Sequence, residues 1–287
     1  MVIYVITVFR LECLAKEDIS LPRDSYTGYL IRNLIYKLLW EYSPDYFEKI
    51  HGDSATPKPF SITPPRGAIG GRVGILRTKI PKGCLFSLEV RALNDEFAGI
   101  LGKSLMGRKG LYIDSRPIEV ILLNVHTVKL EDLTRISTGK VTIEFRTPTS
   151  FRVRAMPTSK FKPSRPRVQI LPDPRNILHN LRNLWNSFLE PKLGEEYLEW
   201  LSSMGVVASG IRGKTVRLWE YEGGKRKKFD IGFVGTLRLN FAEDVYDEKM
   251  VAWTFCLLNL ARYSNVGRNR TAGFGVVSIK RGLRELV

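Results

Sequence analysis

Among the three histidines of this 287-residue chain, His51 has the position best suited to proton transfer. An imidazole has an unperturbed pKa of about 6.5, so it can accept or donate a proton near neutrality. His126 falls in a predicted strand and His179 in a predicted helix, where a structural or surface role is the ordinary expectation. His51 lies instead in a polar stretch, Glu48–Pro65, that we expect to be a loop, and Lys58 follows in the same stretch. His51 is therefore the candidate catalytic histidine.

One of the reactions that such a residue could serve is the cleavage of RNA by its own 2′-hydroxyl, which attacks the adjacent phosphate in line. A protein assists by supplying a base for that hydroxyl, an acid for the 5′-oxygen leaving group and a cation for the charge on the phosphorane. The reaction requires no metal, and the sequence offers no convincing cluster of metal ligands. Cys13, Cys84 and Cys256 are too far apart to suggest a disulfide framework or a zinc site, and we expect them to be core thiols in a reducing cytoplasm.

Tyr36 is a second candidate, on a helix predicted from about Tyr26 to Tyr42. Helical spacing puts the apolar residues of this segment on one face, and these are Leu30, Ile31, Leu34, Ile35, Leu38 and Leu39. Tyr36 falls roughly opposite, with Tyr29 and Trp40, so we expect it to point away from the core of its own domain. It would face either the second domain or an RNA groove. A phenol has an unperturbed pKa of about 10, so it is a poor base unless a cation lowers that pKa.

A glycine-rich segment, Tyr263–Gly275, joins a predicted helix to the last predicted strand. Its glycines, Gly267, Gly273 and Gly275, permit positive φ and close approach of a ligand backbone. Successive exposed N–H groups there could form an anion-binding nest, and the loop carries basic side chains at Arg268 and Arg270. The segment is neither a Walker loop nor a dinucleotide fingerprint, because no Gly-Lys-Ser/Thr follows and it opens a strand instead of a helix.

The charge balance favours a polyanionic partner. The chain has 45 Lys and Arg against 29 Asp and Glu, a net charge of +16. Between Arg146 and Arg182 nine basic residues stand against one acid, and we predict RNA-phosphate contacts there for Arg152, Arg154 and Lys160. A membrane partner is not expected, because no stretch reaches the roughly 18 apolar residues of a transmembrane helix.

The predicted elements that must position these residues repeat in the two halves of the chain. The first half has strands at Met1–Leu11, Val73–Thr78, Leu85–Val90, Leu111–Asp114 and Ile118–Val128, and helices at Tyr26–Tyr42 and Asn94–Met106. The second has strands at Val141–Phe145, Val206–Trp219, Phe229–Leu239 and Gly275–Lys280, and helices at Asn176–Leu189 and Asp247–Tyr263.

Both halves approximate the β-α-β-β-α-β order, so the predicted fold class is α+β with two tandem ferredoxin-like (RRM-like) domains. The N-terminal domain, 1–132, carries the candidate catalytic residues. The C-terminal domain, 139–287, carries the basic surface and the glycine-rich loop. The boundary is expected near Glu131–Thr138.

The segment Gly267–Gly275, with the sequence Gly-Arg-Asn-Arg-Thr-Ala-Gly-Phe-Gly, resembles the signature of the RAMP superfamily of CRISPR-associated proteins. Within that superfamily the chain is most similar to the family of endoribonucleases that process CRISPR repeat RNA. The segment Val141–Phe151 also resembles that family, as do the tandem ferredoxin-like halves. The resemblance therefore covers essentially the whole chain.

This resemblance implies a metal-independent endoribonuclease, without a cofactor, that cleaves the repeats of a CRISPR precursor transcript. The products would carry 2′,3′-cyclic phosphate and 5′-hydroxyl ends. It further implies that Tyr36 and His51 form an acid–base pair, in an order left open, and that Lys58 stabilises the phosphate. Binding of the repeat RNA is expected at the loop residues Gly267, Arg268, Arg270, Gly273 and Gly275. We expect a cytoplasmic monomer or homodimer, acting alone or with a CRISPR effector complex.

The alternative is a non-catalytic RNA-binding RAMP subunit of a CRISPR effector complex, with the same fold and the same loop. The presence of both His51 and Tyr36 favours the enzyme. A general RRM-like single-strand binder is less favoured, because no aromatic RNP pattern of the Lys/Arg-Gly-Phe-Gly-Phe kind lies on a central strand.

Overall fold

A computed structural model describes residues 4–52, 56–108, 110–135, 140–153, 160, 162, 164–222 and 224–281. The chain divides into two compact units. Unit 1 comprises Met1–Leu130, Leu218–Asp230 and Arg270–Gly273, and unit 2 comprises Glu131–Arg217, Ile231–Asn269 and Phe274–Val287. Two short pieces of the second half of the sequence, the Leu218–Asp230 piece and the Arg270–Gly273 piece, thus belong to unit 1.

Unit 1 is built on an antiparallel sheet. Its strands are β1 (Tyr4–Ala15), β2 (Ile19–Ser20), β3 (Phe60–Ile62), β4 (Arg66–Ile69), β5 (Arg72–Ile75), β6 (Lys79–Ile80), β7 (Leu85–Ala92), β8 (Gly110–Ile113) and β9 (Arg116–Lys129). Its helices are α1 (Thr27–Tyr42), α2 (Pro44–Gly52) and α3 (Asp95–Leu105). The main sheet has the order β5-β4-β7-β1-β9-β8, with β3 paired to β7, while β2 pairs with β6.

The core of unit 1 follows from two periodicities. Alternate residues of β1 and β7 are buried, as at Phe9, Leu11 and Cys13 of β1. Residues three and four apart on α1 are buried against them, and these are Ile31, Leu34, Ile35, Leu38 and Leu39. Helix α3 begins at a capping residue, Asn94, whose side chain accepts a hydrogen bond from the Phe97 amide at 3.0 Å.

Unit 2 has a second antiparallel sheet. The short helix α4 (Leu130–Thr134) spans the division between the units. The strands that follow are β10 (Val141–Thr149), β11 (Phe151–Val153), β12 (Arg167–Gln169), β13 (Val206–Glu222), β14 (Lys225–Phe241) and β15 (Val277–Arg281). The end of β13 and the start of β14 lie in the Leu218–Asp230 piece of unit 1, and the rest of these strands lies in unit 2. Its helices are α5 (Pro174–Phe188), α6 (Glu195–Ser202) and α7 (Glu248–Ser264). The sheet order is β13-β14-β10-β15, and β11 pairs with β12. Side-chain carboxylates cap α5 and α7, through Asp173 and Asp247.

The predicted α+β class with tandem ferredoxin-like order is confirmed. In each main sheet the first strand of the motif lies between the third and the last, β1 between β7 and β9, and β10 between β14 and β15. The helices predicted by periodicity appear within two residues of their expected ends. No helix in the described part of the chain has the length and apolar character needed to cross a membrane.

One prediction about the environment of His51 is wrong. The stretch Glu48–Pro65 is not a continuous loop, because its first residues belong to α2 and His51 lies in the last turn of that helix. Pro44 stands at the first position of α2, where its fixed φ and missing N–H suit a helix start, and Asp45 follows in the first turn. Residues 53–55 lie outside the described part of the chain.

Candidate active site

Three aromatic rings gather where α1 is followed by α2. Phe47 and His51 are four residues apart on α2, and their rings stack with centroids 5.1 Å apart and planes 23° apart. The Tyr36 ring, from α1, meets the His51 ring edge-on at 5.7 Å and 81°. His51 is exposed to solvent. The imidazole is thus oriented by two aromatic neighbours while its polar atoms stay accessible to a ligand.

Tyr36 does not point away from the core of its own unit, and that part of the sequence prediction is wrong. Its ring packs edge-on against Phe60, a fully buried core residue, at 5.9 Å and 85°. Tyr29 is also buried, with its hydroxyl 2.9 Å from a carboxylate oxygen of Asp230, whereas Trp40 is 56% exposed. The reason lies in unit 1, where residues distant in sequence cover the face of α1 opposite its leucines.

The covering piece is a 3₁₀ turn, Arg270–Ala272, in the glycine-rich segment. Its approach to α1 is so close that a Cβ at Gly28 would lie 2.1 Å from the carbonyl oxygen of Ala272. Only glycine fits at that position of α1.

Burial raises the pKa of Tyr36, and a hydrogen bond with the Thr271 side chain and the charge of Arg32 lower it by less. The phenol therefore keeps its proton through the neutral range, since its pKa lies above the ordinary value of about 10. Tyr36 is suited to donating a hydrogen bond or a proton, not to accepting one.

Lys58 lies at the same end of α2. Its ammonium donates a hydrogen bond to the carbonyl oxygen of Ile50, the residue before His51. This carbonyl belongs to the last turn of the helix, where a cation is favoured by the helix dipole. The structure thus brings Tyr36, His51 and Lys58 to one place in unit 1.

Arg270 acts on Lys58 from the glycine-rich segment. Its side chain is buried, and its Nη2 donates to the main-chain carbonyl of Lys58 at 2.9 Å. Burial lowers the pKa of the guanidinium to about 10, so it stays charged at neutral pH. This placement favours a role in holding the Lys58 segment over the direct contact with RNA that the sequence analysis expects of Arg270.

The backbone of the glycine-rich segment differs from the exposed anion nest expected from the sequence. Gly267, Gly273 and Gly275 all have positive φ, between 71° and 81°. Within unit 2, however, the amide of Gly267 donates to Asn180 Oδ1 at 2.8 Å, and that of Arg268 donates to Ser150 O at 2.9 Å. The amide of Gly275 also has a protein acceptor, Pro148 O at 3.1 Å. Buried amides need hydrogen-bond acceptors within the protein. These three amides already have such acceptors, so they are not available to bind a phosphate.

The other predicted RNA-binding residues have mixed positions. Arg152 is exposed on β11, and Lys160 is exposed in the basic segment that follows. Arg268 is half-buried in unit 2. Arg154 lies outside the described residues. RNA contacts at these positions stay predictions.

Sequence reasoning missed Phe47, Thr271 and the structural use of Arg270. A signal for Phe47 exists, because its spacing of four from His51 becomes meaningful once a helix is recognised after Pro44. No pattern in the sequence near either residue predicts the contact between Arg270 and Lys58. Within the described residues, no group of three or more His, Cys, Asp or Glu side chains could hold a metal ion.

Comparisons with known proteins concern the second half of the chain and the fold of the whole. Residues 143–277 match the model of the family described as CRISPR-associated endoribonuclease Cas6. No curated relative matches the sequence.

Solved Cas6 structures share the fold of this chain over nearly its whole length. A Cas6 product complex is 22% identical with a TM-score of 0.70, covering 97% of this chain and 100% of that one. A second Cas6 product complex is 20% identical with a TM-score of 0.67, covering 96% and 99%. Cas6 from Thermus thermophilus is 21% identical with a TM-score of 0.61, covering 97% and 99%. Residues 143–277 thus match the model of the Cas6 family of CRISPR-associated endoribonucleases, and the chain shares the fold of solved Cas6 structures.

Proposed function

We propose that this protein cleaves the repeats of CRISPR precursor RNA by attack of a 2′-hydroxyl on the adjacent phosphate, without a metal. The observation that carries the proposal is the contact of a half-buried tyrosine, Tyr36, with an exposed histidine, His51, beside the ammonium of Lys58. Structures described as Cas6 product complexes, and one described as a Cas6 complex with a substrate mimic, have the same fold.

His51 takes the proton of the attacking 2′-hydroxyl. An imidazole near neutral pH has a substantial basic fraction, and the exposure of His51 lets the nucleotide reach it. As the proton moves to the imidazole, the bond between the 2′-oxygen and phosphorus forms.

Tyr36 gives its proton to the 5′-oxygen as the bond from phosphorus to that oxygen breaks. Its raised pKa keeps the donor protonated, and the departing alkoxide is far more basic than a phenolate, so the transfer is favourable. The products are a 2′,3′-cyclic phosphate and a 5′-hydroxyl. Exchange of protons with water then returns His51 and Tyr36 to their starting states.

Lys58 stabilises the negative charge that grows on the phosphorane. Its ammonium is held at the end of α2 by the Ile50 carbonyl, and its main chain is held by Arg270. A fixed cation next to developing charge lowers the barrier because it needs no reorganisation during the reaction.

The test is incubation of repeat RNA with the protein in excess EDTA, followed by identification of the product ends. We expect one cut per repeat, with a cyclic phosphate and a 5′-hydroxyl. Products with 5′-phosphate ends, or activity that returns only with added Mg²⁺, would replace this mechanism with metal-assisted hydrolysis. Tight binding of the RNA without any cut would identify a non-catalytic RAMP subunit.

A further inference from the structure

Unit 2 contains a cleft of about 640 Å³ that shares no residue with the Tyr36, His51 and Lys58 cluster. Its residues come from β11, α5, α6 and the glycine-rich segment, and they are Phe151, Arg152, Val153, Arg175, Asn176, His179, Asn180, Asn183, Leu198, Leu201, Ser202, Gly267 and Arg268. Three of these are arginines, three are asparagines and none is acidic. A volume of roughly 300–1,000 Å³ is typical of small-ligand sites.

One face of α5 forms the polar wall. Asn176, His179, Asn180 and Asn183 are spaced by three, four and seven residues, which places all four on the same side of a helix. Asn176 and Asn180 hold neighbouring segments, through hydrogen bonds with Gln169 and with the Gly267 amide, both at 2.8 Å. These two amides fix the shape of the cleft.

Asn183 and His179 are left to face a ligand. Both are exposed, and the side chain of Asn183 makes no hydrogen bond to any other described residue. Partial burial and the charge of Arg182 lower the pKa of His179, while Glu195 raises it by less. A neutral imidazole and a carboxamide each offer one donor side and one acceptor side, the pattern that base edges require.

The arginines reach the cleft from three different elements. Arg152 lies on β11, Arg175 is the second residue of α5 and Arg268 lies in the glycine-rich segment. Arg175 is oriented by its hydrogen bond to the Ser202 carbonyl at 3.0 Å. Guanidinium groups are well suited to phosphate. One terminal phosphate does not need three guanidinium groups from three different elements. Three such groups are better suited to the successive phosphates of a polynucleotide backbone that continues beyond the bound nucleotide.

We propose that this cleft binds one unpaired nucleotide of the RNA, with its base against Asn183 and His179 and its flanking phosphates against Arg152, Arg175 and Arg268. The apolar side chains of Val153, Leu198 and Leu201 contact the faces of the base. This inference rests on the proposed function only in taking the RNA to be the repeat transcript. It identifies a binding site separate from the cutting residues.

The test is a double-mutant cycle that combines substitutions of Asn183 in the cleft with removal of single bases from the RNA. Affinities are measured by fluorescence anisotropy for a set of repeat RNAs, each with one abasic position, against the wild type, Asn183→Leu and Asn183→Asp. Asn124→Leu is the matched control, because Asn124 is an exposed asparagine of β9, outside the cleft. Thermal unfolding confirms that each variant is folded.

We expect one abasic position to weaken binding to the wild type and to Asn124→Leu by about tenfold. The same abasic position should weaken binding to Asn183→Leu by clearly less than tenfold, because one partner of that base is already gone. If every abasic position has the same effect in both Asn183 variants as in the wild type, the cleft does not hold a base.

A second arm separates RNA from free nucleotides, which share the same chemistry. The four 5′-mononucleotides are added as competitors, and we expect none to displace the RNA at micromolar concentration. Displacement from the wild type but not from Asn183→Leu would make the cleft a site for a free nucleotide and would overturn the RNA assignment.

Cleavage is followed in parallel at saturating RNA. If no abasic position is coupled to Asn183 but the wild type cleaves normally, the nucleotide site in the cleft is refuted and the proposed function stands. Coupling without cleavage by the wild type refutes the proposed function and supports the cleft.

Discussion

Tyr36 and His51 touch each other, yet their surroundings differ. Tyr36 is half-buried against Phe60 and beneath Thr271, while His51 projects into solvent from the end of α2. Two titratable groups in contrasting environments are a common basis for an acid and a base in one site. This contrast is the reason for proposing Tyr36 as the acid and His51 as the base, because burial keeps the phenol protonated.

The first prediction concerns His51. Replacement His51→Ala should lower the single-turnover cleavage rate by about 10²–10⁴-fold, since loss of a general base has effects of that size. RNA affinity should change little. His126→Ala is the matched control, because His126 is an exposed histidine of β9. Full activity of His51→Ala would remove His51 from the mechanism.

The second prediction concerns the pH dependence that Tyr36 imposes. Because burial raises its pKa above about 10, Tyr36 stays protonated at every lower pH and should contribute no fall in rate through the neutral range. Tyr36→Phe should reduce the rate and leave the neutral part of the pH profile unchanged in shape. A descending limb near neutrality that disappears in Tyr36→Phe would show that the phenol ionises there.

Residue types and local spacing are enough to single out His51 and Tyr36, but not their neighbours. The stacking of Phe47 on His51 depends on a helix that the sequence analysis misses. The hydrogen bond from Arg270 to Lys58 joins residues 212 positions apart. Such a contact depends on the packing of the whole unit, so no pattern in a short stretch of sequence can predict it.

At the scale of elements, length decides what periodicity reveals. Helices α1, α3, α5 and α7 are long enough to show an apolar stripe, and each is predicted. Helix α2 has nine residues and buries only Tyr46 and Ile50, which is too little for a periodic signal. Helix α6, with eight residues, is missed for the same reason. The misplacement of His51 in a loop follows directly from this limit.

The third prediction tests the glycine-rich segment as a structural element. Gly275 has φ of 71°, and a Cβ there would lie 1.8 Å from the carbonyl oxygen of Val266. Gly275→Ala should therefore lower the free energy of unfolding by more than about 2 kcal/mol, measured by chemical denaturation. Gly74→Ala on β5 is the control, because its Cβ would have no neighbour within 4 Å. Equal stability of the two variants would contradict the packing described for this segment.

At the scale of the molecule, the order of elements is predictable, but the make-up of the units is not. The β-α-β-β-α-β pattern is local in each half, whereas pieces of the second half join unit 1 through side chains. Asp230 accepts from Tyr29 at 2.9 Å, and Arg226 bonds Asp24 at 2.6 Å. Arg32 pairs with Glu220 at 2.5 Å. These pairs are long-range in sequence, so dividing the chain at a single point does not describe the make-up of the two units.

The net charge of +16 also acts at the scale of the molecule, because it attracts RNA whatever its sequence. Within that charge, Arg268 and Arg270 are two residues apart but differ in surroundings. Arg268 is half-buried at the cleft of unit 2, and Arg270 is buried in unit 1 beneath Lys58. Neighbouring arginines of one loop should therefore have separable effects.

The fourth prediction separates them by salt dependence. Arg268→Ala should weaken RNA binding and reduce the slope of log affinity against log salt by about 0.7, the contribution of one phosphate contact on a single strand. Arg270→Ala should leave that slope unchanged. It should instead lower the free energy of unfolding by about 2 kcal/mol, because the Lys58 carbonyl loses the hydrogen bond from Arg270. Cleavage should also slow, because Lys58 is displaced.

The affinities of both variants are measured by titration at four or more salt concentrations, and their stability and single-turnover cleavage are measured in parallel. A reduced slope in Arg270→Ala with unaltered stability would mean that this guanidinium binds RNA, and an unchanged slope in Arg268→Ala would remove the glycine-rich segment from the RNA path.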